Sequence, residues 1–155
     1  MYTTKRFNGN YNEIPTEDNE IWIPLRNYEY KYMISNLGRI FSFRGINGKI
    51  LKPIKYKLGY YYQILTNNNI QKQYLLSRLV AIHFVPNPNN LNEVNHKDCD
   101  KSNNKASNLE WCTHLYNMQH ARKNVKFKYK IIVKYKKNYD LNNKNGHRGM
   151  KYKNK

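Results

Sequence analysis

Between Glu20 and Cys112 the apolar residues of this chain come only in short runs cut off by Asn, Gly or Pro, a texture of small β-hairpins with little helix. Ile21-Trp22-Ile23-Pro24, Tyr32-Met33-Ile34-Ser35 and Arg39-Ile40-Phe41-Ser42-Phe43 read as strands, the last two joined as a hairpin through Asn36-Leu37-Gly38. Tyr60 to Thr66 and Ile70 to Leu75 flank Asn67-Asn68-Asn69, whose side chains tolerate the positive φ of a tight reversal, so a second hairpin is expected there. Leu76, Leu79, Val80 and Phe84 then recur at helical spacing, and Pro86-Asn87-Pro88 ends that helix. Farther on, Glu93 to His96 reads as a strand, Asp98 to Ser107 as a polar loop, Leu109 to Cys112 as a strand, and Thr113 caps a helix through Ala121.

The expected class is α+β: N-terminal β-hairpins, then a ββα finger, then a basic and partly disordered C-terminal tail. Residues 1–19 are expected as a flexible lead-in, 20–66 as an N-terminal β module, 67–121 as a second domain with its ββα core at 93–121, and 122–155 as the tail. Trp111, Leu109, Leu115 and Met118 are the expected core of the finger, with the helix packed onto the hairpin.

Charge says what such a chain meets. Among 155 residues, 28 Lys and Arg stand against 10 Asp and Glu, a net charge of +18, which points to a polyanionic partner. The 15 Tyr favour nucleic acid over a membrane surface, because aromatic rings pack on sugars and bases. The segment from Arg122 onward holds thirteen Lys and Arg against the single acid Asp140, so it carries most of the electrostatic footprint; Lys130 to Tyr135 within it reads as a strand. No apolar run approaches the ~20 residues that span a bilayer, and Met1 to Asn10 lacks a signal-peptide stretch, so the expectation is an intracellular protein with no membrane partner. Two cysteines, Cys99 and Cys112, are too few for a disulfide scaffold. The richness in Asn, Lys, Tyr and Ile resembles the coding bias of an A+T-rich genome, so an isolated Asn carries little weight.

The chemistry-bearing stretch is Val94-Asn95-His96-Lys97-Asp98, then Asn103-Asn104, Ser107-Asn108-Leu109-Glu110-Trp111, Thr113-His114, and Asn117 with His120-Ala121. These residues, roughly Arg78 to Ala121, resemble the HNH nucleases of phage and intron-encoded homing endonucleases, whose fold is the ββα-metal finger. Glu20-Ile21-Trp22 through Ile40 resembles the small module that often precedes that domain in homing enzymes. The resemblance implies a metal-dependent DNA endonuclease acting on double-stranded DNA, with no small-molecule cofactor.

By that resemblance His96 is the general base; an imidazole, with a pKa near ~6.5, is largely neutral and basic at cellular pH. Asn108 is the central Asn, expected to orient His96 through its amide oxygen. Asn95 and Asn117 are the metal ligands. His114 and His120, three residues either side of Asn117, share its helix face; His120 is expected to assist at the leaving group and His114 to contact DNA. Arg78, Arg122, Lys123, Lys126, Lys128 and Lys130 are expected to grip phosphates. Two amide oxygens suit one hard ion, Mg²⁺ or Mn²⁺, recruited together with the phosphate. A single finger suits a monomer and nicking, with dimerisation left open.

Three readings compete. His96, Cys99, Cys112 and His114 have spacings that a structural zinc ion accepts. The finger also serves as a DNA-binding protein with a degenerate, inactive HNH fold. Plainer still, Asp98 and Asp100 form turns, and His83, among apolar neighbours, is a core or boundary histidine.

Overall fold

The computed structural model describes residues 14–45 and 48–124, so the expected strand at Lys130 to Tyr135 and the whole tail beyond residue 124 lie outside the described residues. Among the described residues nine short strands form three antiparallel sheets and a nine-residue helix follows the seventh strand, which bears out the α+β class. The first sheet pairs β1 (Trp22–Pro24), β2 (Tyr32–Ser35), β3 (Ile40–Ser42) and β4 (Lys49–Ile50) in that order. The second pairs β5 (Ile54–Lys55), β6 (Tyr61–Asn67) and β7 (Ile70–Leu75). The third is the ladder of β8 (Glu93–His96) with β9 (Leu109–Cys112). β4 and β5 are two residues each, too short for any alternation to be legible in the sequence.

The turns form where the chain tolerates left-handed backbone. Asn68 and Asn69, at φ 47° and 62°, give the two successive positive φ values that a tight β6–β7 reversal needs. Gly38, at φ +83°, turns β2 into β3. Helix α1 (Leu76–Phe84) begins where β7 ends and buries Leu76, Leu79 and Val80, three of the positions its periodicity marks, together with Ala81, while the fourth, Phe84, is half-buried. His83 closes the helix onto the N-terminal segment. Its Nδ1 lies 2.7 Å from the Leu79 carbonyl and its Nε2 accepts the Arg26 N–H at 2.9 Å, so both ring nitrogens serve the fold.

One core runs through Leu25 and Tyr28 of the β1–β2 connection, Tyr32, Ile34 and Ile40 of the first sheet, Leu65 of the second, the buried face of α1, and Leu109 of β9. The β module and the finger hairpin are therefore welded by shared apolar burial, each fully buried Leu or Ile contributing roughly 1.5–3 kcal/mol. A smaller cluster joins Met33, Phe41 and Phe43 to Ile14. That burial corrects the expected flexible lead-in, which is anchored from Ile14 onward. Arg39 adds a clamp, pairing with Glu20 and Glu17 while its guanidinium lies 5.5 Å from the Trp22 ring centroid.

All of this belongs to a first compact unit, Met1–His114; a second begins at Leu115. Helix α2, residues 114–124, enters that second unit and runs past the expected end at Ala121. Leu115, expected in the core, is 62% exposed, and Met118 is also exposed. Within the first unit the apolar side of the hairpin packs on α1 and the first sheet: Leu109 is buried there and Trp111 is half-buried, donating its indole N–H to the Val85 carbonyl at 3.1 Å. Among the described residues no helix is long and apolar enough to cross a membrane.

Candidate active site

The site is built on the β8–β9 ladder, whose register pairs Glu93 with Cys112, Val94 with Trp111, Asn95 with Glu110 and His96 with Leu109. The Asn95 amide nitrogen donates to Glu110 Oε1 at 2.7 Å. With its nitrogen so engaged, the amide oxygen, the atom a hard cation prefers, takes no hydrogen bond among the described residues.

His96 is 4% exposed at the end of β8. Its Nε2 lies 3.2 Å from Asn104 Oδ1, while Asn104 Nδ2 donates to the Ser102 carbonyl at 3.1 Å. The Ser102 bond fixes which way the amide faces, and an amide oxygen only accepts, so Nε2 carries the ring proton and Nδ1 keeps its lone pair. Among the described residues Nδ1 takes no hydrogen-bond partner. The Tyr60 ring lies near the imidazole with centroids 6.1 Å apart, and Lys101 Nζ stands 4.3 Å from the Tyr60 centroid.

Asn108 sits differently from the expectation. Its oxygen accepts the Asp98 N–H at 3.2 Å, and its nitrogen donates to Asp98 Oδ1 and to the Asn103 carbonyl, each at 2.9 Å. It stitches the loop shut instead of touching the imidazole; the amide at His96 is Asn104. The reason is local: Asn108 ends the 3-10 turn Ala106–Asn108, which aims its side chain across the mouth of the loop. Asp98 and Asp100 are turn-formers: Asp98 accepts from Asp100 N–H and from Asn103, and Asp100 from Ser102. What burial Asp98 has raises its pKa, but the bonds from Asn103 and Asn108 outweigh it and hold the carboxyl below its ordinary value. The Ser102 bonds do the same for Asp100.

At the other end of the hairpin, His114 Nδ1 pairs with Glu93 Oε1 at 2.6 Å, with the imidazole 73% exposed. Asn117 and His120 lie on α2 in the second unit, where the His120 ring stacks on Tyr116 at 6.1 Å and 7°. Asn95, His96 and Asn108 thus all lie in the first unit, each side chain with a different partner, Glu110, Asn104 and Asp98 respectively; Asn117 and His120 are described only within the second. Arg78 is exposed; it donates to the Asn92 carbonyl at 2.7 Å and lies over Trp111. Arg122 and Lys123 are exposed on α2, and Lys126, Lys128 and Lys130 lie outside the described residues.

The zinc set does not converge. His96 and Cys112 occupy opposite ends of the ladder, about 10 Å of strand apart. Among the described residues no three His, Cys, Asp or Glu side chains group as a metal cluster. Burial first, then Glu93 and Glu110, pushes the Cys112 thiol up and keeps it protonated.

Residues 20–66 match the NUMOD4 motif, and residues 74–119 match the HNH endonuclease family. An HNH endonuclease of Acanthamoeba polyphaga mimivirus is 42% identical over 120 residues, covering 77% of this chain and 34% of the relative. The DNA endonuclease I-HmuI of Bacillus phage SP01 is 37% identical over 98 residues, covering 63% of this chain and 55% of the relative. In a solved structure titled for DNA binding and cleavage by the HNH homing endonuclease I-HmuI, the matching chain superposes with a TM-score of 0.61 at 34% identity, covering 76% of this chain and 68% of that one. The chain belongs to the HNH endonucleases. It spans about a third of the length of the mimivirus relative, at 34%, and about half of the phage enzyme, at 55%.

HNH endonucleases generally use a divalent metal ion, and the donors here suit one: the Asn95 amide oxygen, with the Glu110 carboxylate beside it, forms a hard all-oxygen set. Asn104 and Glu110 are the residues that sequence reasoning missed. Glu110 was within reach, because pairing His96 with Leu109 puts it opposite Asn95. Asn104 was not, being one of two adjacent Asn in a loop whose fold only coordinates show.

Proposed function

We propose that this HNH endonuclease hydrolyses phosphodiester bonds of double-stranded DNA with one Mg²⁺ or Mn²⁺ ion per site. The observation that carries the reading is the buried His96 at the end of β8, its Nε2 held against the Asn104 amide oxygen, next on the strand to an Asn95 amide bonded to Glu110. His96 takes the proton of the attacking water at Nδ1, and the Asn104 oxygen stabilises the imidazolium by accepting its Nε2–H. By the family resemblance Asn95 and Asn117 are the amides that would hold the ion, and the Glu110 carboxylate bonded to Asn95 would add charge there. Bound there, the ion supplies Lewis-acid stabilisation of the phosphate oxygens and the leaving group. Asn108 keeps the loop after His96 closed, and by the family resemblance His120 assists at the leaving oxygen. Arg78, His114, Arg122, Lys123, Lys126, Lys128 and Lys130 contact phosphates.

Supercoiled plasmid incubated with purified protein, with and without Mg²⁺ and alongside His96→Ala, is the test. Mg²⁺-dependent nicking lost in the variant, with DNA affinity retained, supports the reading. Binding without nicking under Mg²⁺ and Mn²⁺ alike overturns it in favour of a DNA-binding protein with an inactive finger. Affinity must also fall steeply with salt; a flat response removes the phosphate contacts.

A further inference from the structure

We infer that the N-terminal β module is part of the catalytic scaffold: its Asn36-Leu37-Gly38 turn is a brace that holds Asn104, and through Asn104 the tautomer of His96. The inference rests on the reading of His96 as the base and extends it to residues outside the finger.

Three observations carry it. The turn is first made rigid from behind, since the Asn36 side chain accepts the Ile21 N–H at 2.8 Å and donates to the Asn19 carbonyl at 3.1 Å. It is then tied forward to the finger, because the Asn36 carbonyl accepts the Ala106 N–H at 2.7 Å, two residues beyond Asn104. Finally it presses on Asn104 itself: a Cβ built on Gly38 falls 2.9 Å from the Asn104 carbonyl oxygen and 3.0 Å from its Cβ. Real Cβ atoms do not come that close to backbone, so any side chain at position 38 must push Asn104 away.

Asn104 is 6% exposed and makes two side-chain bonds, one to Ser102 and one to His96. Displacing it leaves Nε2 without its acceptor and lets the ring proton move to Nδ1, where it blocks the lone pair that takes up the water proton. Asn104 and Gly38 are thus positioning residues. The glycine is required twice over, by φ +83° and by the neighbouring loop. Gly45 separates these two requirements, with φ +103° and nothing within 4 Å of its Cβ.

The full chain tests the brace by two readouts: nicking kinetics, and the ring ¹⁵N signals of His96, assigned by their loss in His96→Ala. Asn104→Ala is expected to lower kcat by ~10–100-fold at unchanged KM and to shift the ring signals toward mixed tautomers. Gly38→Ala moves both readouts the same way by roughly tenfold in kcat. Ala106→Pro removes the donor to Asn36 at a site where Lys105, at φ −63° and ψ 137°, already suits a following proline, and it follows the same pattern should Gly38→Ala fail to fold. Gly45→Ala lowers stability alone, with kcat and ring signals those of the parent. Parental ring signals and kcat in Gly38→Ala or Ala106→Pro overturn the brace, as does a Gly45→Ala variant that changes them equally. Were the parent not to nick DNA, the ring signals alone would decide: mixed tautomers in Gly38→Ala support the brace, and parental signals overturn it.

Discussion

His96 and His114 stand at the two ends of one hairpin and are held in opposite ways. His96 is buried and hydrogen-bonded to a neutral amide, which fixes where its proton sits without adding charge. His114 is exposed and paired with a carboxylate, so the bond orients the ring while solvent screens the pair. A buried neutral partner makes an imidazole a committed acceptor at one nitrogen. An exposed acidic partner makes it an adjustable surface contact. Two histidines eighteen positions apart in one finger therefore suit different tasks, and the difference lies in their partners.

The largest expected effect breaks the comparison at its buried end. His96→Ala removes the proton acceptor and is expected to lower the nicking rate by ~10²–10⁴-fold, with DNA affinity changed less than about twofold because no phosphate contact is lost. Filter binding alongside single-turnover nicking separates the two numbers. A variant that loses affinity and rate in equal measure would make His96 a DNA contact, no different in kind from His114.

The next effect concerns Glu110, the partner of Asn95. Glu110→Gln keeps an oxygen to accept the Asn95 N–H but removes the charge, so the Mg²⁺ concentration for half-maximal nicking is expected to rise by about tenfold. Exchanging the pair, Asn95→Asp with Glu110→Gln, restores the charge with the hydrogen bond reversed and should recover Mn²⁺ binding in a titration followed by electron paramagnetic resonance. Equal Mn²⁺ affinity in parent and Glu110→Gln would reduce Glu110 to a structural partner of the strand.

The finger was legible in sequence because its spacing is fixed by backbone geometry. His96 and Leu109 had to face each other once two four-residue strands flanked a closed loop, and α1 emerged at Leu76–Phe84, where the periodicity of Leu76, Leu79, Val80 and Phe84 places it. Contacts between side chains of distant segments were not legible. Asn108 was expected at the imidazole, yet a 3-10 turn of three residues redirected it to Asp98 and Asn103, and no periodicity announces such a turn. Leu115 and Met118 were expected in the core on amphipathicity alone, but that pattern says a face is apolar without saying what already fills the space opposite. The burial of Ile14 was hidden for the same reason, since one isoleucine in an acidic lead-in has no pattern to read.

A smaller effect probes the exposed end. His114→Ala is expected to weaken DNA binding by about 2–5-fold, the scale of one screened surface contact, with kcat unchanged. Glu93→Gln leaves an acceptor for Nδ1 and should change affinity less than His114→Ala does. A kcat defect in either variant would place His114 with the chemistry and erase the distinction between the two ends.

A third histidine sharpens the contrast, with the smallest effect of all. His83 uses both ring nitrogens on backbone, the Leu79 carbonyl and the Arg26 N–H, with Arg26 and Glu29 as the charged groups that act on it. Burial first, with Arg26 adding to it, lowers its pKa below the ordinary 6.5, because protonating Nε2 would put a second proton against the Arg26 N–H. A depressed folded-state pKa contributes stability that is complete above the unfolded value. As pH falls through 6.5 the unfolded chain takes up a proton that the folded chain refuses, and that contribution is lost. Between pH 7.5 and pH 5 the parent should therefore lose a few degrees of Tm more than His83→Gln, which has no proton to gain, a shift on the order of 2–5 °C by calorimetry. Identical pH slopes for the two proteins would mean that the Arg26 bond gives way freely, and that a histidine bound at both nitrogens is held no more firmly than the exposed His114.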